Sequence, residues 1–468
     1  MESINRKIIV LLVLAGISGC DKEQSGITDS SSTAGNRISE AVLKNEAGYV
    51  RFTTDFECRK ITLVSNNTAD RIAGTVTTGA SNEVSLTAES GTVAAGTYCL
   101  ALLPGTLSKG FKLVFTMADG TQRYKGFVSS WDIQADSVKT IRTVISASSL
   151  KKDLSASGSA NCYLIREAGD YAFRAVRGNT STSVGRVQVI EVLWESFGTD
   201  TAPAKGDLIS SVAFSGEHVE FSTPSTFRNG NAVIAARDTE GTVLWSWHIW
   251  CASEGWNEQT YHNGAGIMMD RNLGATSAAP YDVGSLGLFY QWGRKDPFAG
   301  SSSLSCSTVA ASTNPWSRSP DRMTQETARK NPVIFYYGTY NYMPDGSWAS
   351  AKTAYDPCPA GWRVPDGGDS GSVWIKALNS TSVSFSGSDY GRNFGGRFGE
   401  ASTIWYPSAG CFNPYGTYMD TGRYGNYWSV TTSGSNSAYS FDFASYGGVG
   451  LYDDHERSWG LSVRCQKI

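Results

Sequence analysis

Apolar residues in this chain recur mainly at every second position, in short runs cut by glycine-containing turns. That period sends alternate side chains to opposite faces, so it commits the chain to half-buried strands. Tyr49-Val50-Arg51-Phe52 and Lys60-Ile61-Thr62-Leu63-Val64 carry it early. Lys112 to Met117, then Ala118-Asp119-Gly120, then Thr121 to Val128 reads as a hairpin, because Asp-Gly supplies the positive φ of a tight turn. Val187 to Trp194, Leu208 to Phe214, Val219 to Phe221, Ala232 to Ala236 and Val243 to Trp250 are strand-like, with turns marked by Asn229-Gly230 and Glu240-Gly241. The expected fold class is mainly β and multidomain. The 468 residues exceed one core and suit about three domains of ~100–200 residues.

Composition narrows the function. A net charge of −3 gives no basic surface for a nucleic-acid partner. Only four histidines, His218, His248, His262 and His455, are present, and none has HExxH spacing. With no phosphate-binding loop and no CxxC pair either, no catalytic residue, no cofactor and no metal site is expected.

Residues 1–19 read as a secretory signal: basic Arg6 and Lys7, the apolar run Ile8 to Ala15, then Ile17-Ser18-Gly19 before Cys20. Small residues followed directly by Cys20 resemble the lipobox of bacterial lipoproteins. The resemblance implies cleavage before Cys20 and its acylation, hence a partner membrane reached through lipid. Residues 20–40 are polar and Ser/Thr-rich, a flexible tether. Its acidic start (Asp21, Glu23) loosely resembles surface-export signals of Bacteroides-group lipoproteins. No later run reaches the ~18–20 apolar residues of a membrane helix.

Beyond Cys20 eight cysteines remain, an even number in a compartment the signal implies is oxidising. Domain limits suggest Cys58–Cys99 within residues 41–150 and Cys162–Cys251 within residues 155–251. Cys306, Cys358, Cys411 and Cys465 fall in residues 252–468. The alternative is that some are buried thiols, packing as small hydrophobes.

Residues 41–150 read as an antiparallel β-sandwich. Gly96 to Thr116 (GTYCLALLPGTLSKGFKLVFT) and Ile72 to Val76 (IAGTV) resemble fimbrillin-type pilins and pilin-like lipoproteins of the Bacteroides group. The resemblance implies a transthyretin-like sandwich and pilus subunits as partners. It covers about one pilin domain, and neither a groove nor a donor strand is identifiable. A lone Arg37 is the one candidate processing site.

Residues 155–251 suit a small Ig-like sandwich. Within it Trp245 and Trp247 share a strand face with Ile249, and His248 shares the other with Trp250. These rings are either a ligand platform or packing against the following domain, and packing is the expectation.

Residues 252–468 carry MMDRNLGA (Met268 to Ala275), GLFYQWGRKDPF (Gly287 to Phe298), DPCPAGWRVP (Asp356 to Pro365), YGNYWSV (Tyr424 to Val430) and GLSVRCQKI (Gly460 to Ile468). In this order they resemble the Fibrobacter succinogenes major paralogous domain, an α+β variant of the C-type-lectin fold found on surface lipoproteins. Ser159 to Tyr163 and Leu244 to Trp250 also recur beside such domains. The resemblance implies a Cys358–Cys465 disulfide, which leaves Cys306 to pair with Cys411. It places a helix at Val373 to Leu378 capped by Asp369 or Ser370. It does not carry calcium binding, because the motifs of calcium-dependent lectins are missing.

Gly368-Asp369-Ser370-Gly371-Ser372 matches a serine-protease string but lacks the upstream His context that chemistry needs. Asp453-Asp454-His455-Glu456 offers oxygen ligands for Ca²⁺, but is expected to be a solvated loop between strands. Trp405, Tyr406, Tyr415, Tyr418, Tyr424 and Tyr427 crowd a glycine-rich stretch. They are the candidate ligand-binding residues, since aromatic faces stack on sugar rings; core packing is the competing reading. Trp428 reads as core.

The expectation is therefore a non-enzymatic lipoprotein of the cell outer membrane, exposed at the cell surface. Two β-sandwiches precede a lectin-like domain, with adhesion or ligand binding as the role and a host or microbial glycan or protein as the ligand. A pilus-associated or tip-like subunit fits this pattern. The alternative is a purely structural fimbrial or cell-envelope subunit.

Overall fold

The computed structural model describes residues 47–67, 69–75, 79–88, 91–339, 342–368, 370–378 and 389–468. The signal segment, Cys20, the tether, Arg37 and the cap candidate Asp369 lie outside the described residues. The chain is mainly β. It divides into two compact units, one reaching to Asp153 together with Ser215–Glu217, the other comprising Leu154–Phe214 and His218–Ile468.

In the first unit β1 (Gly48–Thr54), β2 (Lys60–Ser65), β3 (Glu83–Thr87), β4 (Gly96–Leu102), β5 (Phe111–Thr116), β6 (Gln122–Phe127), β7 (Val138–Thr140) and β8 (Lys151–Asp153) form two sheets. One has the order β7-β1-β4 and the other β8-β6-β5-β2-β3. Alternation turns Val50, Phe52, Ile61, Leu63, Leu100, Leu102, Leu113 and Phe115 into one shared core, a sandwich-like arrangement. The hairpin at Asp119-Gly120 forms as its residues dictate: Gly120 sits at φ +84°, and Asp119 Oδ1 accepts from the Thr121 N–H at 2.8 Å. One pairing departs from the antiparallel expectation. β1 and β7 run parallel, which side-chain alternation does not encode.

In the second unit β9 (Cys162–Ile165), β10 (Val189–Ser196), β11 (Gly230–Arg237) and β12 (Val243–Cys251) form a sheet of order β9-β12-β11-β10. β12 is buried along both faces. Trp245, Trp247, Ile249 and Cys251 enter one core with Phe173, Phe221 and Ile234. Trp250 enters another with Met269, Trp292, Trp348, Trp428 and Cys465. The indoles of β12 are therefore packing, and residues 155–251 and 252–468 share a core. His248 lies on the Trp250 face with Nε2 2.9 Å from Asn231 Oδ1, and burial depresses its pKa to about 3.

The C-terminal part adds β13 (Phe289–Gln291), α1 (Gln325–Lys330), α2 (Val373–Ala377), β14 (Cys411–Phe412), β15 (Tyr418–Met419), β16 (Tyr424–Ser433), β17 (Ser437–Ala444), β18 (Val449–Glu456) and β19 (Gly460–Ser462). The sheet order is β15-β14-β19-β16-β17-β18, with β13 also on β19. Helix α2 stands where the sequence places it, but its cap is Ser372, whose side chain accepts from the Ile375 N–H. The cap expected at Ser370 is not formed: Ser370 is exposed, whereas Ser372 is fully buried at the helix start.

The motif residues of this region build a polar core. Arg464 lies 3.7 Å over the Tyr406 ring and donates to the Trp405 carbonyl at 2.7 Å. Arg294 donates to the Ile334 carbonyl at 2.6 Å. Gln291 donates to the carbonyls of Tyr336 and Ser458, and Asn272 to that of Leu286. Lys295, wholly buried, holds Asp296 at 2.6 Å and the Ser246 carbonyl at 3.0 Å. These groups satisfy carbonyls that irregular loops leave without ladder partners.

The disulfide Cys358–Cys465 is formed, joining the DPCPAGW loop to the residues after β19. The other three expected bridges are not formed, for reasons of geometry. In the parallel β9–β12 register Cys162 faces His248 and Cys251 faces Ile165. A three-residue offset puts the two sulfurs on opposite sheet faces, in different cores, about 10 Å apart along the strands. Cys58 sits in the sandwich core beside Tyr98 and Leu100, whereas Cys99 alternates with those two residues and faces the other way. Cys411 is buried while Cys306 is exposed on its loop.

Candidate functional site

The six aromatic candidates separate by face. Tyr427, Phe441 and Phe443 point to the inner face of β16 and β17 and join Tyr406, Trp374 and Phe394 in a core. The Tyr427 hydroxyl donates to the Pro407 carbonyl at 2.7 Å, and that of Tyr418 to the Ala409 carbonyl at 2.6 Å. The Tyr406 hydroxyl accepts from Trp374 Nε1 at 3.0 Å. Trp405 is buried beneath Tyr281, ring centroids 5.0 Å apart. As placed, these four are core residues. The three tyrosine hydroxyls find hydrogen-bond partners, as buried tyrosines require, whereas Trp405 Nε1 is buried without one. Tyr424 and Tyr415 remain exposed, at 46% and 60%, and they line different clefts.

The Tyr424 cleft lies on the outer face of β16–β18 and encloses about 580 Å³. Register builds it. Asn426 on β16 faces Asp442 on β17, which faces Gly450 on β18. Asp453 and His455, two residues apart on β18, line the same cleft with Asp420, Trp459 and the buried Cys411. The run Asp453–Glu456 is thus part of an edge strand, not a loop between strands. Alternation separates Asp454 and Glu456 from Asp453 and His455, so the four side chains do not converge on one ion. Among the described residues no group of three or more His, Cys, Asp or Glu side chains is placed to hold a metal ion.

His455 Nε2 lies 2.7 Å from Asp442 Oδ2, and its ring is 4.6 Å from that of Trp459. Burial alone would lower the His455 pKa. The bond to Asp442 and the fields of Asp442, Asp453 and Asp454 outweigh it, so the net shift is upward. Burial, with the neighbouring Asp442 charge, raises the Asp453 carboxyl. Burial also pushes the Cys411 thiol up, with Asp420 and Asp442 adding to the effect, so it stays protonated and is no nucleophile. Asp442 Oδ1 is buried in the cleft wall without a hydrogen-bond partner, an acceptor left unsatisfied. A Cβ on Gly450 would fall 1.6 Å from Asp453 Oδ2, so the glycine makes room for that carboxylate. Chemically, the cleft offers carboxylate and amide groups beside an exposed tyrosine face. Asn426 lies within the YGNYWSV motif, where nothing in the sequence marks it from its neighbours, and Asp442 belongs to no motif; its only trace is a polar residue between the aromatics Phe441 and Phe443.

No family model matches the chain, and no curated protein matches it. Among solved structures, the one titled "Anomalous substructure of Titin-A168169" aligns over 45% of this chain and 97% of its own at 11% identity. Its TM-score of 0.13 is too low to carry any argument.

Proposed function

We propose that this chain is a lipid-anchored outer-membrane protein, displayed at the cell surface, that binds a hydroxyl-rich ligand such as a glycan in adhesion. The observation that carries the reading is the cleft on β16–β18. There the unpartnered Asp442 Oδ1, Asn426 and Asp453 surround space beside Tyr424. A pyranose presents hydroxyl donors at its edge and C–H bonds on its face, which is the complement of that lining. The motif resemblances support the setting: a pilin-like first region and a lectin-like C-terminal region on a chain acylated at Cys20, with strand spacing suggesting an Ig-like region between them. A pilus-associated or tip-like role follows if pilus subunits are its partners.

A glycan array probed with the mature full chain tests the binding. Specific retention that is lost in both Tyr424→Ala and Asp442→Asn is expected. If no glycan is retained, or retention survives both changes, the purely structural fimbrial or envelope subunit becomes the better reading. Protease shaving of intact cells tests display: release of fragments is expected, and full protection of the chain overturns it.

A further inference from the structure

A second cleft, of about 600 Å³, is lined by Pro320, Arg322, Met323, Tyr337, Tyr342 and Tyr415 among others. Its exposed ring is held by a rigid turn. The Asn413 side chain accepts from the N–H groups of Tyr415 and Thr417, both at 3.0 Å. The Gly338 N–H on the cleft wall donates to the Pro414 carbonyl at 2.7 Å, and Arg318 donates to the Tyr415 carbonyl at 3.3 Å. Gly416, at φ +71°, leaves room for the Arg318 stem, which a Cβ would meet at 2.7 Å. The backbone of Tyr415 is thus fixed while its ring is 60% exposed. An aromatic presented on a pinned turn loses little freedom when a ligand arrives.

Charge distinguishes this cleft from the first. The Tyr424 cleft is lined by Asp420, Asp442 and Asp453. The Tyr415 cleft contains Arg322 and, among the described residues that line it, no acidic residue. Arg322 is exposed, and its guanidinium makes no hydrogen bond or ion pair among the described residues. The nearby carboxylates are engaged elsewhere: Asp345 by Arg457 at 2.7 Å, and Asp321 by the Ser319 hydroxyl at 2.8 Å.

We infer that the Tyr415 cleft is a separate binding site for an acidic saccharide, a pyranose bearing a carboxylate. The tyrosine face takes the ring, and Arg322 takes the carboxylate through its two-pronged donors. Calorimetry of the mature full chain against uronate- and sialate-terminated oligosaccharides, each beside its carboxyl-reduced form, tests this. At least one acidic member binds, and carboxyl reduction weakens it about tenfold or more. Arg322→Ala and Tyr415→Ala each weaken it about tenfold, and Arg322→Lys recovers part of the loss. Tyr452→Ala, an exposed ring outside both clefts, leaves it unchanged. Both tested side chains are exposed, so circular dichroism of the variants should match the parent. The inference is overturned if no acidic member binds, if binding ignores both Arg322→Ala and Tyr415→Ala, or if a polyglutamate peptide binds more tightly than every saccharide.

Discussion

The cores of the two units are built from different materials. The buried set of the first unit, among the described residues, consists of aliphatic and aromatic side chains with the thiols of Cys58 and Cys99, a few hydroxyls and no charged residue. The second buries Arg271, Arg294, Arg392, Arg457, Arg464, Lys295, Glu195, Asp270, Asp296 and Asp356 as well. In the first unit strand ladders satisfy the backbone, and the core has only to be apolar and well filled. In the second, long loops run between short strands, so buried cations and amides take over the work of the ladder. Glu195 illustrates it: one carboxylate accepts from the N–H groups of Gly206, Leu208 and Ile209. Stability in the second unit therefore depends on particular donors and acceptors, and in the first on volume.

Conservative substitutions should expose the difference. Arg464→Ala is expected to cost about 3–5 kcal/mol or to prevent folding, measured by urea denaturation. Arg464→Met should recover little, because the Trp405 carbonyl and Asn272 Oδ1 lose their donor at about 1–3 kcal/mol each. In the sandwich core, Leu113→Ala should cost about 2–5 kcal/mol, but Leu113→Met under about 1.5 kcal/mol. Equal tolerance of Arg464→Met and Leu113→Met would erase the distinction.

The paired change Cys358→Ser with Cys465→Ser should cost about 2–4 kcal/mol, read as a lower denaturation midpoint of the second unit only. Thiol titration of the native chain should likewise find sulfhydryls that appear only on unfolding, since Cys58, Cys162, Cys251 and Cys411 are buried and unbridged.

The two histidines give pH dependences of opposite sign. His248 is neutral when folded, with its pKa depressed to about 3. The unfolded chain takes up a proton near pH 6.5 that the folded chain refuses, so stability falls as pH drops from about 6.5 towards 3. His455 is raised. Its bond to Asp442 contributes fully below about pH 6.5 and fades as pH rises through the higher folded value. NMR titration should place His455 above its ordinary value and return it downwards in Asp442→Asn. The smallest stability effect belongs to Tyr424→Ala, within about 0.5 kcal/mol of the parent because the ring is exposed.

Legibility in the sequence followed the same division. The hairpin across Asp119-Gly120 and the two faces of β12 could be read directly, because local residues decide them. The site could be read only in part. Exposed Tyr424 and Tyr415 share a composition with buried Tyr406, Tyr418 and Tyr427, and only strand register and tertiary packing separate the two groups. Register also decided the cysteines. Cys162 and Cys251 occupy neighbouring strands, yet an odd offset turns them to different cores. The Cys358–Cys465 bridge came from motif resemblance, and chain spacing alone would not have selected it. Helix α2 starts at Val373 as the sequence places it, but its cap is Ser372, the residue directly before that start, because only a side chain there reaches the free N–H groups of the first turn.

Strand β18 has one further consequence. Among the described residues it closes the sheet order as its last member, leaving a row of backbone groups that another chain could pair with. Asp453, Asp454 and Glu456 stand along that row. Their mutual repulsion with any like strand discourages a second copy from docking there. The acidity that shapes the cleft thus also guards the border of the sheet against fibril growth, and stacking of these molecules would have to use some other margin.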